Sequence, residues 1–409
     1  MASKATLRYD TGMPDKEEAF PQAFRERGRA LRLVWRGLAC ALVFLLARPA
    51  AGEELAATLD RIARQAVAED GTTGIVIATG RERETPIIAA AGLADVAAHT
   101  AMRADSDFKV ASIAKTFYAA LTLALADEGK LALDDKLARF LPKLPNAERV
   151  SLRQLMNHTA GYEDYITDAF AEAADAQRGK AWSSLELLAF AHPERLDFEP
   201  GNRFDYSNTN YLLLRMALAA ALGHSPIAEI RARFLAPLGL SATWFAAEER
   251  VPPGALARGY SDLEDNGTLQ DATGEPAALG GDDGDLVSNA ADLLSWSQAL
   301  FGGRVLSKAR LAEMLTFVPA NGDDSAPGSG YGLGVERSQY LGVAFYGHTG
   351  SVPGYNSALL YEPTTGTALV VAINADPPDD ALIDILAERV IRALGQAGKL
   401  RLPKAPDSG

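Results

Sequence analysis

The chain has 409 residues and a single cysteine, Cys40, which lies inside an N-terminal apolar run. With no second cysteine there is no internal disulfide and no zinc–thiolate cluster. Histidine is scarce as well. His99, His158, His192, His224 and His348 are scattered, without a His-Glu-x-x-His helix or paired metal spacing, so no metal is expected. No Gly-x-Ser-x-Gly elbow occurs, nor a glycine-rich phosphate loop ending in Lys-Ser/Thr, and no cofactor is expected. Positive charge is in deficit: the formal net charge is −13, and no basic stripe follows the first fifty residues. That balance excludes nucleic acid and anionic membrane surfaces as expected partners. Internal repeats and low-complexity linkers are also missing. What remains is an ordinary globular composition, 48% hydrophobic and 23% charged, long enough for a large core.

The N-terminus departs from the rest. Arg25, Arg27, Arg29, Arg32 and Arg36 precede the apolar run "GLACALVFLLA", Gly37 to Ala47, which is short for a bilayer span. Small residues follow, with Ala50 and Gly52 at a minus-three, minus-one spacing. This is the form of a secretory signal peptide over residues 1–52, with an uncleaved anchor as the alternative and a true start downstream of Met1. Cleavage after Gly52 leaves a mature chain without cysteine and without stable membrane insertion, as suits a bacterial periplasmic protein.

Periodicity predicts the elements. "EELAATLDRIARQAVAE" from Glu53 is an amphipathic helix; "TGIVIATG" and "TPIIAAAGLAD" are strands joined by the turn "RERE". "KVASIAKTFYAALTLALADEGKL", Lys109 to Leu131, reads as one almost wholly apolar helix stopped at Gly129 and Lys130. Helical segments dominate from about Leu133 to Gln270. "AADLLSWSQALF" is a helix, and "GVAFYGHTG", "YNSALLYEP" and "TALVVAINA" are strands, before the closing helix "DDALIDILAERVIRAL". The fold class is therefore α+β: residues 53–111 and 271–398 as a discontinuous sheet domain, 112–270 as a mainly helical insertion, and 399–409 as a flexible tail.

Three short motifs carry chemistry. Ser112 and Lys115 stand three residues apart, hence on one helix face, and a lysine among Ile113, Ala114, Phe117 and Leu121 is costly to bury charged. Such a lysine can act as a base toward the serine, although a capping serine with an outward lysine fits the tetrapeptide equally well. In "FDYSNTNY", Tyr206 and Asn208 alternate across Ser207. A tyrosine beside an ammonium can be a phenolate or a shared-proton base, and an asparagine offers both donors and an acceptor; a turn capping the next helix explains the same residues. In "YGHTGSVPGY", His348 and Thr349 offer donors for a carboxylate or oxyanion, Gly350 allows close approach of a substrate, and Ser351 offers a backbone N–H.

Together, Ser112-x-x-Lys115, Tyr206-Ser207-Asn208 and His348-Thr349-Gly350 resemble, in order and spacing, the serine β-lactamase and penicillin-binding-protein superfamily. The resemblance is strongest to the branch holding D-alanyl-D-alanine carboxypeptidases, class C β-lactamases, esterases and D-aminopeptidases. "LRQLMNHTAGY", "FEPGNRFDYSNTNY", "LVSNAADLLSWSQAL" and "YGLGV" extend it along most of the chain. The resemblance implies a mostly antiparallel sheet packed by N- and C-terminal helices, with an inserted all-helical domain. It implies Ser112 as the acylated nucleophile, Lys115 priming it and Tyr206 relaying the proton. Asn208 would hold the substrate amide and fix Lys115, and the strand of His348, Thr349 and Gly350 would take the substrate edge-on. The N–H groups of Ser112 and Ser351 would form the oxyanion hole. Histidine at 348 replaces the lysine most β-lactamases carry there, so Arg337 becomes the candidate cation for a terminal carboxylate, and His158 a hydrogen-bonder behind the site. The expected function is exported, D-alanyl-D-alanine carboxypeptidase-like hydrolysis of a peptide or small-molecule substrate through an acyl-enzyme. A β-lactamase, or an esterase or amidase acting on other acyl compounds, is the alternative. The oligomeric state is left open.

Overall fold

The computed structural model describes residues 51–264, 266–275, 286–320, 327–376, 379 and 381–403. Residues 1–50 of the expected leader, with Cys40, and the acidic pair Asp282 and Asp283 fall outside the described residues; residues 51 and 52 open the first helix.

Helix α1 (Ala51–Glu69) turns Leu55, Leu59, Ile62, Ala63 and Ala66 to one buried face, the three-to-four-residue stripe its sequence spells. Strands β1 (Gly74–Gly80) and β2 (Ile87–Asp95) form the expected antiparallel pair. Short β3 (Thr100–Ala101) extends them, and β4 (Asp107–Lys109) leaves that sheet for a smaller one. The buried helix α2 spans only Ala114–Asp127. Lys109, expected inside it, lies on β4, because pairing of β4 with a later strand claims its backbone. Gly129 adopts φ +70° beyond the helix end, as a terminating glycine does.

The helices α3 (Leu152–Met156), α4 (Asp168–Ala176), α5 (Ser184–Phe190), α6 (Asn208–Leu222) and α7 (Pro226–Ile230) follow. Side-chain capping boxes start α3 at Ser151 and α5 at Ser183. After β5 (Trp244–Phe245), β6 (Tyr260–Ser261) and β7 (Gln270–Asp271), strand β8 (Leu286–Asn289) lies between β4 and β5. Helices α8 (Ala290–Phe301) and α9 (Lys308–Met314) lead into β9 (Val318–Pro319), β10 (Gly330–Tyr331), β11 (Glu336–Tyr340), β12 (Val343–Val352), β13 (Tyr355–Glu362) and β14 (Thr367–Ile373). Helix α10 (Leu382–Gln396) closes the order.

The large sheet runs β3-β2-β1-β14-β13-β12-β11-β10-β9, antiparallel throughout. Its centre is buried on both faces, which is why "ALVVAI", residues 368–373, is continuously apolar rather than alternating. Leu369, Val371 and Ile373 pack with α1 and α10 on one side, while Ala368, Val370 and Ala372 join the helical core on the other. Phe117 of α2 stacks on Trp296 of α8 with ring centroids 3.9 Å apart, and Trp296 Nε1 donates to Thr116 Oγ1 at 2.9 Å. That contact ties α2, the helix beneath the site, to the helix that follows β8.

The expected tail needs a correction at its start. Leu400 is buried in the cluster of α1 and α10, Leu402 lies against Gly395, and Arg81 donates to the Lys399 carbonyl. The apolar pair in "KLRLP" has a surface to cover, and that holds residues 399–402 down; residues 404–409 fall outside the described residues.

Candidate active site

Ser112 sits on a forced turn. Leu286 accepts from Val110 N at 2.8 Å, and Ala111 then adopts φ +47°, a left-handed conformation costing an ordinary residue about 1–2 kcal/mol. A 3₁₀ turn, Ala111–Ile113, runs into α2 and carries Ser112 at its centre. Lys115 follows one turn later on the same face and is 1% exposed. Its Nζ donates to Ser112 Oγ and to Asn208 Oδ1, both at 2.9 Å, and lies over the Tyr206 and Tyr211 rings at 5.2 and 5.5 Å. Tyr206 Oη donates to Ser112 Oγ at 3.1 Å. One hydroxyl thus touches both an amine and a phenol.

The phenol is not the phenolate that its neighbouring cation suggests. Burial raises the Tyr206 pKa, and the opposing influence of Lys115 does not offset it. In the resting site Tyr206 therefore holds its proton. Once either Lys115 or Tyr206 gives up a proton, the same contact can accept the one on Ser112.

Asn208 is the first residue of α6, one past the cap position that the turn reading gave it, which Ser207 holds. Its Nδ2 and its backbone N–H both donate to Asp164 Oδ2, at 2.9 and 3.0 Å, which turns Oδ1 toward Lys115. Asp164, in the loop after "NHTAG", escaped the sequence reading. His158 is fully buried behind the site. Its Nδ1 accepts from Ser207 N at 3.2 Å, and its ring packs on Tyr206 with centroids 4.2 Å apart. Burial keeps His158 neutral, far below the usual histidine range, with Lys115 and His348 pushing the same way.

Strand β12 supplies the opposite wall. Its partner β11 stops pairing at Glu336, opposite Gly347, so the edge from His348 to Val352 faces the cleft. Thr349 N–H points out of that edge, since it donates to Glu336 Oε2 at 3.1 Å. By the two-residue period of a strand, Ser351 N–H points the same way. Gly350 is required by contact: a Cβ there would stand 2.2 Å from Val110 O, in the turn that holds Ser112. Gly334 of "YGLGV", at φ +74°, crosses α2 so closely that a Cβ would meet Ala119 at 2.5 Å.

His348 is buried, and burial lowers its pKa although Glu336 raises it. Its Nδ1 lies 2.6 Å from Thr349 O and 3.3 Å from Glu336 Oε1, two acceptors, so Nδ1 carries the proton. Tyr331 Oη then donates to Nε2 at 2.8 Å. Arg337 does not reach the site. Alternation along β11 sends it to the other face, where its guanidinium lies 4.9 Å from the Phe317 ring centre. Its neighbour Glu336 lines the cleft instead, a carboxylate where a cation was expected.

The cleft, about 570 Å³, is lined by Ser112, Tyr206, Asn208, Glu336, His348, Thr349, Gly350 and Ser351, with Ile166, Asn356, Ser357, Ile383 and Asp384. Ser112, Tyr206, Asn208, His348, Thr349 and Gly350 of the three motifs meet there, while Lys115 lies beneath Ser112 and Ser207 is buried. Among the described residues no group of three or more acidic, histidine or cysteine side chains is arranged to hold a metal.

Comparison with known proteins agrees with this geometry, since the beta-lactamase family model matches residues 59–392. The chain belongs to the beta-lactamase family. Among curated relatives of this beta-lactamase family member, penicillin-binding protein 4* of Bacillus subtilis (strain 168) is 29% identical over 280 residues, 66% of this chain and 61% of that protein. A D-aminopeptidase of Brucella anthropi is 28% identical over 292 residues, 69% of this chain and 52% of that one. The chain thus spans about half to three-fifths of these relatives' length. Among solved structures, D-amino acid amidase from Ochrobactrum anthropi SV3 complexed with D-phenylalanine superimposes with a TM-score of 0.76. It is 28% identical, over 84% of this chain and 99% of that one. The chain's fold is that of the β-lactamase and penicillin-binding-protein family.

Proposed function

We propose that the protein hydrolyses an amide bond in a short peptide or amide containing a D-amino acid, through an acyl-enzyme on Ser112. The observation that carries this reading is Ser112 Oγ within hydrogen-bond reach of Lys115 Nζ and Tyr206 Oη at once. Ser112 Oγ attacks the carbonyl carbon and its proton passes to the Lys115–Tyr206 pair. The oxyanion is received by the N–H groups of Ser112 and Ser351, at the N-terminal end of α2. Collapse breaks the C–N bond as Tyr206 Oη protonates the departing amine, giving the Ser112 ester. Water then attacks the ester, losing a proton to the same pair, and Ser112 regains its own. Asn208 orients both the substrate amide and Lys115, and the edge of β12 lines up the substrate backbone.

The D-configuration rests on the names of the relatives. The carboxypeptidase-like expectation shares these steps and differs in what leaves. Export through the N-terminal leader, to the periplasm and without a retained anchor, belongs to the same proposal. The test is turnover of D-phenylalanine amide and of a D-Ala-D-Ala peptide, beside their L counterparts, by wild type and Ser112→Ala. Hydrolysis of a D substrate by wild type alone is expected; undiminished turnover by Ser112→Ala would overturn the assignment.

A further inference from the structure

The carboxylate of Glu336 occupies the place where a carboxypeptidase needs donors. His348 and Thr349 were expected to offer donors for a carboxylate or an oxyanion. Both donors of Thr349 are already taken: Thr349 N donates to Oε2 at 3.1 Å, and Thr349 Oγ1 lies 3.1 and 3.3 Å from the two oxygens. His348 Nδ1 faces Oε1 as well, at 3.3 Å. The glutamate side chain remains 23% exposed, so it presents charge to the cleft rather than hiding it. Among the described residues no lysine or arginine lines the cleft, Lys115 lying beneath Ser112, and Asp384 adds a second carboxylate to the lining.

Resting on the acyl-enzyme reading above, we infer that Glu336 sets leaving-group specificity: the enzyme takes amides whose departing amine is uncharged or cationic and rejects a departing amino acid with a free carboxylate. Two causes act together. An incoming carboxylate finds its donors occupied, and it meets a like charge at short range in a partly desolvated cleft. A carboxylate accepts at about four lone-pair positions, so Glu336 keeps capacity for an ammonium or amide N–H after serving Thr349 and His348. The substrate class is then primary amides and amine-blocked or amine-bearing peptides, not peptides trimmed from a free C-terminus.

The test holds the acyl group constant as D-phenylalanyl and varies the leaving group's charge: glycine, glycinamide and 1,2-diaminoethane. Each is read as kcat/KM, or as inhibition of p-nitrophenyl acetate hydrolysis where turnover is slow. Wild type is expected to favour the neutral and cationic compounds over D-phenylalanyl-glycine by about tenfold or more, the ratio given by 1.4 kcal/mol. Glu336→Gln should close that gap, and Glu336→Arg should reverse it, a gain that misfolding does not mimic. Because each ratio is internal to one enzyme, a variant of lower overall rate still reports. Equal handling of all three by wild type, or an unchanged gap in Glu336→Gln, would overturn the inference. p-Nitrophenyl acetate turnover by wild type and Ser112→Ala separates the two readings. Turnover undiminished in Ser112→Ala fails the acyl-enzyme reading and this one with it; turnover lost in Ser112→Ala, with no charge preference in wild type, fails this one alone.

Discussion

At the scale of the residue, the site works by contact between groups that would each be ordinary elsewhere. Tyr206→Phe keeps the ring stacked on His158 and removes only the hydroxyl on Ser112. The rate is expected to fall at least about a hundredfold, the lower end for a positioned acid or base, with thermal stability little changed. Steady-state kinetics beside a melting curve checks this, and a near-wild-type rate would remove Tyr206 from the relay. Asp164→Ala leaves Asn208 Nδ2 and its backbone N–H without their acceptor. Hydrogen bonds to a charged group contribute about 1.5–3 kcal/mol each to stability, so the variant should melt lower, and kcat should fall because Asn208 is no longer aimed at Lys115. The residues of the three motifs were legible through their resemblance, in order and spacing, to a known superfamily, and the fold brings them together. Asp164 and Glu336 were not legible. An acidic residue in a loop or at a strand end reads as solvated until the partner across the fold is seen. Arg337 shows the cost of a one-residue error on a strand, where the neighbour faces the other way.

At the scale of the element, glycine and aromatic contacts set how β12, α2 and α8 meet. Gly350→Ala puts a Cβ onto Val110 O, and overpacking of this kind costs about 1–3 kcal/mol. The variant should melt lower and label Ser112 more slowly, since the carbonyl it displaces belongs to the nucleophile's own turn. Unchanged melting and labelling would mean the strand can retreat. The pattern of the elements was readable from period and punctuation: α1, β1, β2, α8 and the last three strands lie where their apolar residues place them. Two misreadings have one cause. Lys109 and the segment after Lys399 owe their conformations to distant partners, β8 for one and the cluster of α1 and α10 for the other. Local propensity carries no record of either.

At the scale of the whole molecule, a buried carboxyl gives the fold a pH signature. Burial, with Asp292 and Asp105 nearby, pushes Asp107 on β4 up from 3.8 to about 6. The folded chain therefore binds a proton between about pH 4 and 6 that the unfolded chain releases. This residue's contribution to stability falls as pH rises through that window and is lowest at neutrality. Asp107→Asn is expected to remove that slope and to gain on wild type most at pH 7; urea unfolding at pH 4.5 and pH 7 measures it. Parallel curves for the two proteins would contradict the assignment. The architecture itself serves one end, which is to hold Ser112 between a buried amine and an open strand edge. The most direct test of that claim is peptide-resolved mass spectrometry after reaction with a fluorophosphonate, in wild type and Ser112→Ala. The account requires one adduct, on the peptide containing Ser112, lost in the variant together with turnover. An adduct on another side chain, or hydrolysis that survives in Ser112→Ala, would contradict it.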